Sequence, residues 1–329
     1  MYIFLDESGT FKIDACDRSV GVVGALVVTE SQLPILERRY GQLRPLLPKD
    51  NRGEVKGKLL DESDTARVID VARRSGLIYE ATVVDILPEH ATTIEEHRRD
   101  QCEGLTRRLT EKHQAGPVAS FHAFRDRLER MPLQLYVQSV ATFDLLGRTL
   151  QHATVYYSQR EPHALAHFQW IVDAKDSNGV TPAEDWWANI VKPYMQARSL
   201  REPFIQLEEG DYSHMADLEM PMPDYLVEEF PHLKGGTGIW LNAVFEEIEF
   251  SPCATPGLEL VDVITNALRR GLRGRLAESG WRGIAGIMIH RKRPTYVHPI
   301  GFGPAEREVD AVSEAVYKKL RTGGRSMLV

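Results

Sequence analysis

Cysteine is scarce in this chain: Cys16, Cys102 and Cys253 are the only three in 329 residues. Odd in number and far apart, they form neither a disulfide framework nor a zinc knuckle, and they fit a reducing, cytoplasmic setting. No apolar run approaches the roughly eighteen residues of a membrane span, and no basic stretch precedes the apolar N-terminus as it would in a secretory leader. Fixed-period repeats and low-complexity tracts are missing as well. So is a basic excess: the net charge is −7, which argues against a protein that coats nucleic acid with its whole surface.

Several catalytic signatures are absent too. There is no Gly-x-Ser-x-Gly nucleophile elbow. Gly235-Gly-Thr-Gly238 lacks the Lys-Ser/Thr of a phosphate loop, and the stretch from Asp173 to Gly179 carries Lys175 where a calcium loop needs Asp or Asn. His163 and His167 are four residues apart, but no third ligand accompanies them, so a solvated face is the better reading. Trp186 and Trp187 read as packing residues.

What is present begins at the N-terminus. In Met1-Tyr-Ile-Phe-Leu-Asp-Glu-Ser-Gly9, the apolar residues Tyr2 to Leu5 run without polar alternation, the pattern of a strand buried on both faces. The strand leads into Asp6 and Glu7. A carboxylate there sits at the rim of a sheet on a rigid support, where open α/β sheets carry their chemistry. Strand period sends Glu7 to the face opposite Asp6, as a structural partner. Residues 20–28 predict a second strand, followed by a helix with Leu33, Leu36 and Leu43 on one face, capped by Thr29 or Ser31 and ended before Pro45. Gly53-Glu-Val-Lys-Gly57 then sets Glu54 and Lys56 between two glycines. Residues 64–74 read as a helix and 77–84 as a third strand.

Residues 89–152 turn to a helical pattern and predict a helical insertion on the sheet, since no linker composition marks their edges. A strand at residues 168–172 stops at Asp173, repeating the opening: apolar strand, Asp, polar turn. Residues 208–230 hold eight acids and no Lys or Arg, and read as a long exposed loop able to act as a lid over a basic segment. Another strand is expected at residues 243–250. Thr255-Pro256 opens a helix, with Thr as cap and Pro at its first position. That helix places Asp262 among Leu258, Val261, Val263 and Ile264, where an unpaired ionised carboxylate costs several kcal/mol, so Asp262 needs a partner. A strand-like run at 294–302 and a last amphipathic helix bearing Val309, Val312, Val316 and Leu320 complete the chain.

Asp6, Glu54, Asp173 and Asp262 come from four distant segments. Singly, each has a surface or capping explanation. Jointly, they are the ligand set that binds two divalent cations for phosphodiester cleavage, and all-oxygen ligands suit Mg²⁺ or Mn²⁺. Lys56 either contacts a scissile phosphate or pairs with Glu54, and the pairing is favoured. Between Arg269 and Arg293 the chain carries eight basic residues and one acid, Glu278. Such a local footprint on an acidic body suits a site-limited phosphate contact by Arg269, Arg270, Arg273 and Arg275, or equally cations at a helix C-terminus plus a solvated loop.

The N-terminal Tyr-Ile-Phe-Leu-Asp-Glu-Ser-Gly, Glu54-Val-Lys56, and Gly257-Leu-Glu-Leu-Val-Asp262 together resemble a widespread bacterial family of uncharacterised proteins known by an N-terminal Asp-Glu-Ser-Gly signature. Its members usually carry Gln-Leu-Ala-Asp at the late helix, where this chain has Glu259-Leu-Val-Asp262. The resemblance spans residues 1 to about 270 and implies a ribonuclease H-like fold and predicted nuclease chemistry. It makes Asp6, Glu54, Asp173 and Asp262 metal ligands. The expectation is an α/β protein: a ribonuclease H-like mixed sheet flanked by helices over residues 1–275, the helical insertion at 89–152, and a strand-helix C-terminal extension, 276–329, packed on the same body. The expected activity is metal-dependent hydrolysis of nucleic acid, DNA or RNA. Two rivals stand beside it. One is a haloacid-dehalogenase-like phosphohydrolase with Asp6 as nucleophile, although Ser8 replaces that family's second Asp. The other is a non-catalytic binding or defence module.

Overall fold

The computed structural model describes residues 1–13, 18–87, 90–107, 109–110, 115–173, 186–199, 204–222, 224–229, 231, 234–291, 295–303 and 309–329. The turn after Asp173, with Lys175, lies outside these residues, as do Cys16, Lys292 and Arg293.

The protein is α/β, built on a mixed sheet. Strands β1 (Tyr2–Ser8), β2 (Ser19–Val28) and β3 (Ile78–Ile86) form an antiparallel meander. Strand β4 (Gln169–Asp173) runs parallel to β1 on its other side. Two short strands, β5 (Glu219–Pro221) and β6 (Thr237–Ile239), pair apart from the sheet. Strand β7 (Glu247–Ser251) lies parallel outside β4, and β8 (His298–Ile300) parallel outside β3. The sheet order is therefore β7-β4-β1-β2-β3-β8. β1 is interior because it is apolar on both faces. β2 is as well: every residue from Val20 to Val28 is buried.

Helices cover both faces. Helices α1 (Leu33–Leu43) and α2 (Glu62–Arg74) lie on one side. Helices α3 (His90–Thr106), α4 (Ala115–Arg130) and α5 (Leu133–Tyr157) follow, with α5 packed on β2 and β3, and then the short α6 (Lys192–Ser199). Helix α7 (Pro256–Leu272) lies across β1 and β2 beside α1 and α2, and α8 (Ala311–Lys319) packs against it. Strand alternation divides the core. Ile3 and Leu5 join the α5 side, whereas Phe4 joins the α7 side with Leu258, Val261 and Ile264. α7 can lie this close because Gly257 has no side chain: a Cβ there would stand 2.5 Å from the Phe4 ring. Its start follows the sequence expectation, with the Thr255 side chain accepting the Leu258 N–H at 3.3 Å ahead of Pro256.

Several expectations need correction. No side chain caps α1 through Thr29 or Ser31; Gln32 holds the N-cap position without a side-chain bond, its Oε1 turned back to accept the Thr29 N–H. The strand expected at 243–250 begins only at Glu247, because residues 241–244 form a helical turn. The acidic stretch 208–230 is not a bare loop. Met215 is buried, the Asp211 N–H bonds the Ser158 carbonyl, and Glu219–Pro221 pairs as β5. It is anchored beside the starts of β4 and β7, whereas Asp173 lies at the opposite end of β4. In α8, Val316 and Leu320 are buried as expected, but Val309 and Val312 are exposed. His163 and His167 are exposed, as expected of a solvated face, and lie beside Glu161 and Glu247. Trp186 and Trp187 are buried, with Trp186 stacked on Phe143.

Candidate active site

β1 continues through Asp6, Glu7 and Ser8, which still pair with Gly24, Val23 and Val22 of β2. On the β4 side the ladder ends at Leu5 and Val172, one residue before Asp6 and Asp173. The two carboxylates therefore leave neighbouring parallel strands at adjacent positions. They lie on the α7 face, since they follow Phe4 and Ile171 at the strand period.

α7 crosses that face and meets β1 in two rungs, one helical turn apart. Asp262 stands against Asp6. Asn266 Nδ2 donates to Ser8 Oγ at 3.3 Å. Burial, the Asp262 charge and the Glu7 charge push the Asp6 proton affinity well above the usual carboxylate range, and Asp173 adds to this. Burial raises Asp262 too, partly offset by the Gly57 N–H, which donates to Asp262 Oδ2 at 2.7 Å, and by Lys56. Asp262 thus has the partners its apolar helix demanded: a backbone amide and a second carboxyl group.

The segment 53–57 delivers the remaining groups. Asp50 Oδ1 accepts the Arg52 and Glu54 amides at 2.9 and 3.0 Å, closing a turn that fixes Glu54. Lys56 is extended (φ −118°, ψ 135°), with its Nζ 2.9 Å from Glu54 Oε2 and 3.8 Å from Asp173 Oδ2. Burial lowers the Lys56 proton affinity, but Glu54, Asp173 and Asp262 outweigh it and hold the ammonium charged. Burial raises Asp173; Lys56 opposes that rise, and Glu54, Asp262 and Glu7 reinforce it. At Gly57 the segment touches α7: a Cβ would stand 2.6 Å from Asn266 Cβ and 3.0 Å from Val263 Cα, so only glycine lets its amide reach Asp262.

Asp6, Glu54, Asp173, Asp262, Glu7 and Lys56 are thus brought to one end of the sheet. The basic candidates divide. Arg269 Nε donates to the Val20 carbonyl at 2.9 Å, and Arg270 to the Leu60 and Gly57 carbonyls at 2.8 and 3.2 Å, so both hold backbone. Burial and the nearby charges of Arg273 and Arg275 lower the Arg269 proton affinity, which places these three together. Arg273 is half-buried and Arg275 exposed. Arg291 belongs elsewhere, paired with the buried Glu80 beside His152 of α5. The eight basic residues between 269 and 293 are therefore not one patch.

Sequence reasoning missed Glu259, Arg44 and Tyr40. Glu259 lies one turn before Asp262, buried between Leu258 and Leu260, and accepts from Tyr40, from Arg44 twice and from the Val55 amide. The signal was available: a carboxylate in an apolar helix needs a partner at position 259 as much as at 262.

The oxygen donors have the chemistry that hard cations take. Among the described residues no group of three or more His, Cys, Asp or Glu side chains is gathered tightly enough to hold a metal ion. The acids meet instead as two linked pairs, Asp6 with Asp262 and Glu54 with Asp173 across Lys56. No helix among the described residues is long and apolar enough to cross a membrane. Comparison with protein-family models, with curated proteins and with solved structures finds no match to this chain.

Proposed function

We propose that this protein is a metal-dependent nuclease with a ribonuclease H-like fold. The observation that carries the reading is the meeting of Asp6, Glu54, Asp173 and Asp262, from four separate segments, at one end of a sheet. A meander continued on the far side of β1 by parallel strands is compatible with that fold. Burial raises the proton affinities of Asp6, Asp173 and Asp262, and neighbouring acid charges raise those of Asp6 and Asp173 further, an arrangement retained at a cost in stability and therefore characteristic of functional sites.

Asp6, Glu54, Asp173 and Asp262 would hold Mg²⁺ or Mn²⁺ only once the two pairs, Asp6 with Asp262 and Glu54 with Asp173, close on the ion. Bound there, the ion would lower the pKa of an attacking water and neutralise charge on the leaving oxygen of a phosphodiester. The residues themselves do the rest. Asp6 and Asp262, whose proton affinities are raised, would have to give up any bound proton for a cation to be held there. Lys56, fixed by Glu54, keeps its ammonium beside Asp173, within the same cluster a phosphate would enter. Arg273 and Arg275, with Arg269 behind them, supply a positive edge for the flanking backbone phosphates of DNA or RNA.

The test is cleavage of labelled oligonucleotides by purified protein with Mg²⁺ or Mn²⁺, comparing wild type with Asp6→Asn. Loss of cleavage in the variant, with the fold retained, is expected. Equal cleavage by both removes Asp6 from the mechanism.

A further inference from the structure

The loop that brings Glu54 and Lys56 to the site is held by one helix through two acids. Val55 donates its amide to Glu259 Oε1 at 2.9 Å, and Gly57 donates its amide to Asp262 Oδ2 at 2.7 Å. Glu259 and Asp262 are three residues apart on α7 and so lie on the same side of it. Between those two anchors the chain is extended. Val55 is wholly buried, and Glu54 and Lys56 emerge together towards Asp173.

Glu259 is saturated. Oε1 accepts from the Val55 amide at 2.9 Å and from Arg44 Nη2 at 2.8 Å; Oε2 accepts from Tyr40 Oη at 2.8 Å and from Arg44 Nε at 2.8 Å. Its side chain is 1% exposed. Four donors on two oxygens fill the acceptor capacity of a carboxylate, so Glu259 has none left for a cation or a substrate. Arg44 also donates to the Gly53 carbonyl at 2.8 Å, gripping the segment at its other end. From this geometry we infer that Glu259, with Arg44 and Tyr40, is the positioning device of the site: it fixes where Glu54 and Lys56 stand relative to Asp173 without touching the reacting atoms.

This inference rests on the nuclease reading, and the experiment separates the two. Mn²⁺ binding is measured by paramagnetic resonance of the free ion on the purified full-length chain, well below the melting temperature. Hydrogen exchange of residues 53–58 is followed in parallel. The variants are Glu259→Ala, Glu259→Gln and Arg44→Gln, with Leu320→Ala as a control for general destabilisation far from the site.

Glu259→Ala is expected to lose amide protection at 53–58 and to weaken Mn²⁺ binding about 10- to 100-fold, the usual effect of removing an outer partner of a ligand set. Glu259→Gln keeps an acceptor oxygen for the Val55 amide and is expected to restore most of both. Arg44→Gln, changed at a half-exposed position, keeps the measurement available if Glu259→Ala does not fold, and should fall between the two. Leu320→Ala should lower the melting temperature and leave Mn²⁺ binding unchanged. If wild type binds Mn²⁺ and the Glu259 and Arg44 variants bind it as tightly, the positioning role is overturned while the nuclease reading stands. If wild type binds no Mn²⁺, the nuclease reading fails, and the role assigned to Glu259 falls with it.

Discussion

Asp6 of β1 and Asp262 of α7 face one another where the helix crosses the strand, and each acts on the other's proton affinity. Burial raises both above the ordinary carboxylate range, and the Asp262 charge pushes Asp6 further. Packing α7 on β1 forces this contact: Gly257 against Phe4 and Asn266 against Ser8 fix the rungs on either side. The pair is kept in place by the fold and destabilises it.

Asp6→Asn is therefore expected to stabilise the metal-free protein while removing the proposed nuclease activity. The sign follows from linkage. A carboxyl whose folded pKa lies above its unfolded value contributes stability at low pH that is lost as pH rises, beginning near the ordinary value of about 4. Asparagine donates to Asp262 without ever ionising, so the variant escapes that loss. At neutral pH it should gain about 0.5–2 kcal/mol, the size of a common stabilising substitution at a strained functional site. Urea unfolding at pH 5 and pH 8 checks this: the advantage of the variant must be larger at pH 8. An equal advantage at both would show that the Asp6 proton is not linked to folding.

Gly57→Ala should damage both the fold and the site. The added methyl meets Asn266 Cβ and the Val263 backbone, neither of which can yield without shifting α7. Overpacking of this kind costs about 1–3 kcal/mol. The shift would also draw the Gly57 amide away from Asp262. Denaturant unfolding together with Mn²⁺ titration checks both parts; a variant within about 0.5 kcal/mol of wild type would mean the close approach relaxes freely.

Much of this was legible in the sequence, and the limits were physical. β1 and β2 could be read because buried interior strands are apolar without alternation. α7 could be read because its cap and first-turn proline are local signals. The approach of Asp6 to Asp173 followed from two strands ending alike. The clamp at Glu259 was not legible in the same way, because Arg44 and Tyr40 lie more than two hundred residues away in the chain and no local pattern links them to it. The basic segment was misleading for a related reason. Arg291 is close in sequence to Arg269, but the chain carries it to the other face of the sheet, where Glu80 takes its charge. Proximity along the chain made a patch that space divides.

If the positive edge beside the site holds nucleic acid, Arg273 and Arg275 should do so as point charges on phosphates. Arg273→Gln and Arg275→Gln are expected to weaken binding of a labelled oligonucleotide for all sequences alike. Removing one arginine that neutralises a phosphate should reduce the slope of log K against log salt by about 1. Arg269 and Arg270 are unsuitable for this test, because they hold backbone carbonyls. Unchanged slopes in the double variant would move the nucleic-acid interface elsewhere on the protein.

The other face of the sheet carries a separate ionic lock, and its pH response should be opposite in sign to that of Asp6. Glu80 of β3 is fully buried between Arg291 and His152 of α5. Burial alone would raise its proton affinity, but Arg291 and His152 outweigh burial and hold Glu80 below the ordinary range; Glu80 in turn keeps His152 above its own. A carboxylate with a lowered folded pKa contributes stability that is present above its unfolded value, about 4.3, and is lost as pH falls through the folded value. Arg291→Met leaves that buried charge short of its main partner, a defect worth about 3–5 kcal/mol. The deficit should be widest near neutral pH and narrow on acidification, because protonating Glu80 removes the charge that Arg291 compensates. Unfolding free energies of wild type and variant between pH 4 and pH 8 decide it: a gap that does not change with pH would assign the loss to packing around the Arg291 stem rather than to the ion pair.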